Sequence, residues 1–221
     1  MVAQNLPVQI LRPFGPRMLH CVIPEEMVNE LNNECDDILK NEQKRKDFDE
    51  SNSLVGHVSE ELRCDLNQPK FKPFGELLFD LAIYLHQDWF KEKYSIESIE
   101  ATKLDVHSSW YVRSFENDYN PTHFHTSGNL SCVAYLKVPK GIGPKNTKNV
   151  KETYATEGYI DFIHGGTSTL TSGNICVMPV VGDIFIFPSH LFHTVYPFYG
   201  EGERRSFSAN MTLINDNITY G

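Results

Sequence analysis

Short segments rich in β-branched and aromatic residues fill the chain from about residue 99 onward, and they limit the fold more than any other feature of the sequence. Clusters of proline, glycine and asparagine separate them, which is the pattern of antiparallel strands joined by turns. About eight such strands predict a sandwich or barrel. The predicted strands are 101–115, 130–138, 158–163, 168–170, 175–178, 183–187, 193–197 and 206–214.

Two helical patterns precede these strands. Apolar residues recur at spacings of three and four within 24–41, after a Pro-Glu-Glu start that suits a helix N-terminus. A second apolar stripe predicts a helix over 72–94, with Pro73 in its first turn. The polar run 41–59 between them is predicted to be a loop. The stripe of the second helix consists of Phe74, Leu77, Leu78, Leu81 and Leu85.

These patterns predict one domain of the α+β kind, mainly β with N-terminal helices. Residues 99–221 would form a barrel or jelly roll, and residues 1–98 a helical layer that supports it. A length of 221 residues is compatible with a single domain of this size.

Two histidines stand two residues apart in NPTHFH, directly before an apolar segment. Residues i and i+2 of an extended segment point to the same side, so His123 and His125 converge on one metal ion if the segment is extended. Neutral imidazole suits iron, zinc, copper and nickel. His193, which opens an apolar alternation, is the predicted third ligand. His190, three residues earlier, is interpreted as structural or exposed.

A row of polar residues follows on the last predicted strand. Such a row is unusual in a core but natural in a pocket for a carboxylate, because arginine clamps a carboxylate with two bonds and serine adds a donor. The alternative is a surface salt bridge between Arg204 and a neighbouring glutamate, a role that Arg205 fits better. The row consists of Arg204, Ser206, Ser208 and Asn210.

Three motifs agree in order and spacing: H-x-H, then G-D-x-x-x-F-P-S-x-L-x-H-x-V-x-P, then E-R-x-S-x-S-x-N. Together they resemble the 2-oxoglutarate- and iron(II)-dependent oxygenases, in particular the prolyl 4-hydroxylase-related branch common in marine phages and bacteria. The resemblance covers roughly residues 109–213. It implies a double-stranded β-helix (a cupin-like jelly roll) with Fe(II), 2-oxoglutarate as cosubstrate, and O₂. The implied reaction hydroxylates a prolyl, peptide or small-molecule substrate and decarboxylates 2-oxoglutarate to succinate.

The resemblance also implies roles for single residues. His123 and His193 match metal-binding histidines of the family. Arg204, with Ser206 beside it, matches the arginine that binds the far carboxylate of 2-oxoglutarate. Tyr135 stands where family members often place a cosubstrate-contacting tyrosine, although a plain core role fits it equally well.

Two further features concern access to the pocket. Trp110 and Tyr119 resemble positions that line its approach, with packing against the helices as the alternative for Trp110. The long polar stretch 141–158 is predicted to be a mobile loop that acts as a lid.

One position departs from the family pattern. Most of the wider family has His-x-Asp or His-x-Glu, and this sequence has His125 where the carboxylate would stand. Three histidines give the site one more unit of positive charge. In an alternative arrangement, His125 is not a ligand and a carboxylate comes from elsewhere, with Asp118 the nearest. Two other classes stay open: a three-histidine, cupin-type dioxygenase that needs no 2-oxoglutarate, and a non-catalytic jelly-roll binding protein.

The composition limits the kinds of partner and the cellular location that are expected. The formal net charge of −9 argues against nucleic-acid binding, and no run of 18 apolar residues suits a membrane span. The N-terminal segment lacks a signal-peptide pattern, and five scattered cysteines suit reduced thiols. A cytoplasmic location is therefore expected, that of the host if the protein is viral. Both a monomer and a homodimer are compatible with the sequence.

Overall fold

The computed structural model describes residues 7, 9–11, 15–51, 56–94, 103–142, 156–169 and 172–214. Within these ranges the chain forms three α-helices and eleven β-strands. The helices are α1 (Glu25–Lys40), α2 (Glu42–Phe48) and α3 (Lys72–Tyr94). The strands are β1 (Gln9–Leu11), β2 (Met18–Val22), β3 (Glu60–Arg63), β4 (Lys103–Ser114), β5 (Asn120–His123), β6 (Leu130–Lys137), β7 (Ile160–Ile163), β8 (Asn174–Val177), β9 (Asp183–Pro188), β10 (Phe192–Val195) and β11 (Arg204–Ile214).

The strands form two antiparallel sheets. The larger sheet has the order β1-β2-β9-β6-β11-β4-β3, and the smaller has the order β5-β10-β7-β8. Strands adjacent in space are mostly distant in sequence, as in a jelly roll. The predicted fold class, mainly β with N-terminal helices, is therefore confirmed.

The larger sheet separates two hydrophobic cores. Alternate residues of β6 illustrate this: Cys132 and Ala134 pack in the core shared with α1 and α3, whereas Val133 and Tyr135 pack in the core shared with the smaller sheet. Side chains alternate along a strand, so one segment lines both cores. The helices thus cover one face of the larger sheet, and the other face is left for the candidate site.

Both predicted helices are present, and a third was missed. The apolar stripes of α1 and α3 are buried in the core against the larger sheet. The loop predicted over 41–59 was wrong in part, because α2 occupies Glu42–Phe48. This helix buries no residue, so it has no apolar stripe to detect. Its signals are an N-cap, where the Asn41 side chain accepts a bond from the Lys44 N–H, and an i,i+4 ion pair between Glu42 and Lys46.

Most predicted strands are present with shifted ends, and four strands were missed: β1, β2, β3 and β5. The predicted strand 168–170 reaches Leu170, which lies outside the described residues. β1, β2 and β3 come from the first 98 residues and pair within the larger sheet. The division at residue 98 stays a prediction. No helix among the described residues is long and apolar enough to cross a membrane.

Candidate active site

Two of the three predicted metal ligands face each other on neighbouring strands. His123 of β5 and His193 of β10 are direct partners in the antiparallel pairing, and Phe162 of β7 is the partner of His193 on the other side. Paired residues share a face of a sheet. Both imidazoles therefore lie on the face that packs against the larger sheet.

His125 reaches the same place by a different route from the one predicted. The sequence argument assumed one extended segment through both residues, but β5 ends at His123 and His125 follows in a loop. The backbone N–H of His125 donates to the carbonyl of Ser189, at 2.8 Å. This bond ties the loop to the turn just before β10, so the second imidazole is fixed relative to His193.

The three imidazoles form a compact group. One ring nitrogen from each of His123, His125 and His193 lies within 4.8 Å of the other two, close enough for the group to hold a metal ion. The ring centroids of His123 and His193 are 4.2 Å apart, and those of His125 and His193 are 5.1 Å apart. The structure thus brings together the three histidines singled out in the sequence.

Backbone carbonyls orient two of these rings. His123 Nδ1 lies 2.7 Å from the carbonyl oxygen of Pro121, and His193 Nδ1 lies 3.0 Å from that of Leu191. A carbonyl only accepts, so each Nδ1 carries the proton and each Nε2 keeps a free lone pair. Such an outer contact is the usual way in which proteins fix the tautomer of a metal-binding histidine.

Burial keeps the imidazoles of His125 and His193 neutral. It lowers the pKa of His125 to about 4, with a smaller contribution from His123. Burial, followed by the neighbouring His123, lowers the pKa of His193 to about 3. At neutral pH both imidazoles are unprotonated, which is the form that binds a metal.

A cavity of about 500 Å³ opens between the sheets at the three histidines. The polar row predicted on the last strand lines it, and so do Tyr135 and Trp110. Trp110 contacts His125 edge to face, with ring centroids 5.8 Å apart. The residues of β11 on this wall are Arg204, Ser206, Ser208 and Asn210.

Arg204 is buried in this wall without a carboxylate beside it. Only 5% of the residue is exposed, and its two terminal nitrogens donate to the Gly158 carbonyl at 3.0 Å and to Ser114 Oγ at 3.1 Å. Both acceptors are neutral, and among the described residues no Asp or Glu forms an ion pair with it. Burial lowers the pKa of Arg204, and the charges of Tyr135 and Asp118, neither of which pairs with it, oppose that shift. A buried cation without an ion-pair partner is costly, so this position suits an anionic ligand.

Arg205 occupies the opposite face of β11. It is fully buried and pairs with Glu203 at 2.8 Å and with Asp36 of α1, also at 2.8 Å. A surface salt bridge with a neighbouring glutamate was the role predicted for Arg205. The glutamate partner is present, but the bridge is buried. Alternation along one strand thus separates a compensated arginine from an uncompensated one.

Other predicted positions lie apart from the histidines. The Asp118 carboxylate accepts bonds from the backbone N–H groups of Ser59 at 2.9 Å and Phe115 at 2.8 Å, so it caps a turn and does not join the group. Tyr119 is 43% exposed and does not line the cavity. Most of the predicted lid, 143–155, lies outside the described residues.

The cavity residues that were not found from the sequence include two acids and an aromatic. Glu50 and Glu61 line the cavity at the edge strand β3, and Phe124 lines it between the two histidines of the H-x-H motif. Glu61 lies in a strand that the sequence reading missed. Phe124 is 46% exposed, and its ring packs against Phe192 with centroids 5.1 Å apart. The alternation assumed for the H-x-H motif would place Phe124 on the opposite face from the histidines, so it gave no signal for this residue.

The part of the chain that carries this site matches a known family. Residues 108–210 match the family model described as "Putative 2OG-Fe(II) oxygenase". These residues belong to the 2OG-Fe(II) oxygenase family. The resemblance drawn from the motifs is thereby confirmed: this family uses Fe(II), 2-oxoglutarate and O₂, and the group of three histidines could hold the iron. Among curated proteins, none matches the sequence significantly.

Solved structures show the same fold. A prolyl-4-hydroxylase from Pseudomonas putida superposes with a TM-score of 0.57 at 16% identity, covering 96% of each chain. SnoK, a non-heme alpha ketoglutarate dependent carbocyclase from nogalamycin biosynthesis, gives 0.57 at 12% identity, over 88% of this chain and 79% of its own. SnoN, an epimerase from the same biosynthesis, gives 0.55 at 14% identity, over 87% and 74%.

Proposed function

We propose that the protein is a hydroxylase in which His123, His125 and His193 hold iron(II). Arg204 and Ser206 would bind the far carboxylate of 2-oxoglutarate, and Tyr135 would contact the same cosubstrate. The hydroxylated substrate would be a peptide, such as one with a prolyl residue, or a small molecule. When bound, iron(II) and 2-oxoglutarate would supply the oxidising chemistry together with O₂, which would give one oxygen atom to a C–H bond of the substrate and the other to the succinate formed, with CO₂, from 2-oxoglutarate.

The buried guanidinium of Arg204 is the observation that carries this proposal. It lines the same cavity as the three histidines, and its observed partners are neutral. A dicarboxylate that binds a metal at one end needs a cation at the other. A planar guanidinium meets a carboxylate with two parallel bonds, which would also fix the cosubstrate's direction.

Other contacts orient the histidine rings and enclose the site. Nδ1–H bonds to backbone carbonyls present the Nε2 lone pairs of His123 and His193 to the cavity. Phe162 and Phe187 pack against His193, with centroids 6.1 Å and 5.2 Å away, and keep water from its buried side. Such enclosure protects a reactive centre from side reactions.

An anaerobic titration tests the proposal. Iron(II) and then 2-oxoglutarate are added to the metal-free protein, and the visible charge-transfer band of the chelated cosubstrate is recorded. The parent should give the band, and Arg204→Met should need far more 2-oxoglutarate to reach it. Arg204→Lys, which keeps the charge but loses the fork, should lie between them.

The outcomes separate the open classes. Iron binding without a band would favour the three-histidine dioxygenase that does not use 2-oxoglutarate. Failure to bind iron(II) would favour a binding protein that has kept the jelly roll. An equal band in Arg204→Met would leave the histidines in place and remove Arg204 from the cosubstrate site.

A further inference from the structure

Two carboxylates on one side of the cavity have no role in the proposed iron and 2-oxoglutarate sites. Glu61 lies on the edge strand β3, and Glu50 precedes it on a segment whose backbone N–H donates to the Glu61 carbonyl at 3.0 Å. Both side chains line the cavity that contains the three histidines. We call this pair the acidic wall.

Strand register places the acidic wall relative to the cosubstrate end. Ser206 of β11 pairs with Val112 of β4, and Val112 pairs in turn with Glu61 of β3. The three residues therefore form one row on the same face of the larger sheet. Neighbouring strands are about 4.8 Å apart, so Glu61 stands about 10 Å across the cavity floor from Ser206.

Trp110 connects the acidic wall to the histidines. Its side chain lies close enough to the Glu61 carboxylate to lower the pKa of that group, and its ring contacts His125. A group that binds at the acidic wall would thus lie beside the ring that borders the proposed metal site. This is the position expected of a substrate and not of the cosubstrate.

The charges around β3 are distributed unevenly. Glu60, whose side chain points to the opposite face, pairs with both Arg45 and Arg113. Within the described part of the chain, Glu61 and Glu50 take part in no ion pair. The guanidinium of Arg63 lies over the Phe48 ring, 4.9 Å from its centroid. The fold therefore compensates the acid that faces away from the cavity and leaves the two that face it uncompensated.

The same cavity is lined by the three histidines and by Arg204, which is 5% exposed and forms no ion pair with a carboxylate of the described residues. Burial, followed by the charge of Glu50, raises the pKa of Glu61 to about 7. A cation that arrived there would remove the repulsion between the two carboxylates and restore the charged form of Glu61.

We propose that the acidic wall of Glu61 and Glu50 binds a cationic group of the substrate, an alkylammonium or a guanidinium. This inference rests on the proposed function and narrows its substrate class. Anionic cosubstrate and cationic substrate would then occupy opposite ends of one cavity, each held by a side chain of opposite charge.

Binding of simple probes tests the inference. The chain has two tryptophans, so Trp89→Phe leaves Trp110, near Glu61, as the only tryptophan, which is excited selectively at wavelengths where tyrosine does not absorb. In this background n-butylammonium, n-butylguanidinium and neutral 1-pentanol are titrated at pH 8, with and without manganese(II) and 2-oxoglutarate. Both cations should shift the Trp110 emission at concentrations at least ten times lower than 1-pentanol.

Variants separate charge from shape. Glu61→Gln keeps a hydrogen-bond acceptor but loses the charge, and it should weaken binding of both cations about tenfold. Glu50→Gln should weaken it less, because Glu50 is exposed. Glu42→Gln on α2, which removes an exposed carboxylate outside the cavity, should change nothing.

Three results would overturn the inference: no response to either cation, equal binding of 1-pentanol, or unchanged cation binding in Glu61→Gln. The charge-transfer band of iron(II) and 2-oxoglutarate is recorded on the same variants. A normal band in Glu61→Gln with lost cation binding supports both proposals. A missing band in the parent with intact cation binding would refute the proposed function alone.

Discussion

The two adjacent arginines of β11 allow the cosubstrate assignment to be tested through stability as well as chemistry. In the ligand-free protein, Arg204→Met removes a buried charge that has no ion-pair partner, and such a charge costs about 3–5 kcal/mol. It also leaves the Gly158 carbonyl and Ser114 Oγ without their donor, at about 1–3 kcal/mol each. These contributions oppose each other, so the unfolding free energy should stay within about 2 kcal/mol of the parent.

Arg204→Met should weaken the binding of 2-oxoglutarate strongly. Truncating one member of a buried, hydrogen-bonded charge pair costs about 2–5 kcal/mol, which corresponds to an affinity about 30- to 4,000-fold weaker. At a 2-oxoglutarate concentration about 100 times the parent's Kd, ligand stabilises the parent by about 2.7 kcal/mol. For a domain of this size that raises Tm by roughly 5–11 °C. With Kd 30 times higher, the same concentration gives about 0.9 kcal/mol or less in Arg204→Met.

Arg205→Met is the matched control one residue away. Its removal takes one partner from Glu203, which keeps Arg113 and Lys137, and one from Asp36, which is 40% exposed and keeps Lys137. The cost should therefore be below that of a fully broken buried pair, which is about 3–5 kcal/mol. Thermal unfolding with manganese(II), with and without 2-oxoglutarate, should therefore show a low Tm for Arg205→Met with a normal ligand shift. Arg204→Met should show the reverse. The reasoning fails if Arg204→Met is as unstable as Arg205→Met and keeps the full shift.

Three further predictions concern other parts of the molecule. After anaerobic loading, metal analysis should find no iron(II) in His193→Ala. His190→Ala, which removes an exposed ring three residues away, should keep its iron(II). Retained iron in His193→Ala would exclude His193 as a ligand. The folded protein holds the proton of Glu61 up to about pH 7, above its ordinary value of 4.5, so stability falls as pH rises between these values, and Glu61→Gln should remove that fall. Measured by urea unfolding, the free energy of unfolding of Glu61→Gln should rise by about 2 kcal/mol relative to that of the parent between pH 5 and pH 8. The argument is wrong if the difference in unfolding free energy between the two proteins is the same at both pH values. Asn41→Ala should cost about 1 kcal/mol by loss of the α2 cap without altering iron binding, and unchanged stability would show that the cap contributes nothing.

Strand periodicity made much of the site predictable. The alternation of side chains along β11 predicts Arg204 in the cavity wall and Arg205 on the opposite face, and the structure has them there. The same rule holds for Tyr135 on β6. Wherever a strand is long and one face is apolar, register is strongly constrained, and the sequence then shows which polar residues share a wall.

The acidic wall was not predictable by that route. β3 has the sequence EELR, a short edge strand without an apolar alternation. Its place in the sheet depends on pairing with β4, which lies about 50 residues away, and local propensity carries no information on such pairing. Glu61 therefore enters the cavity because of tertiary structure alone. The same limit applies to α2, whose polar face gives no periodic signal.

His125 shows how a correct prediction can rest on a wrong intermediate. The i, i+2 argument required a strand through both histidines, and the structure instead uses a loop held by the Ser189 carbonyl. Ser189 in turn accepts a hydrogen bond from Ser131, at 2.9 Å, in the core of the cavity wall. The spacing of the two histidines was informative because both must reach one point, whatever backbone carries them there.

Charge connects the two ends of the cavity. In the proposed ligand set, a divalent ion is bound by three neutral imidazoles. A carboxylate ligand would reduce the positive charge of the site by one unit, and His125 does not. Arg204 adds a further positive charge, and a dianionic cosubstrate does not neutralise the sum. The acidic wall supplies negative charge, with Glu61 about 10 Å away from Ser206, a distance close to the screening length at physiological salt. Each end therefore acts on its own ligand: the end with Arg204 attracts an anion, and the acidic wall repels a second anion and favours a cation. A substrate with an ammonium or guanidinium group would for this reason enter in one direction.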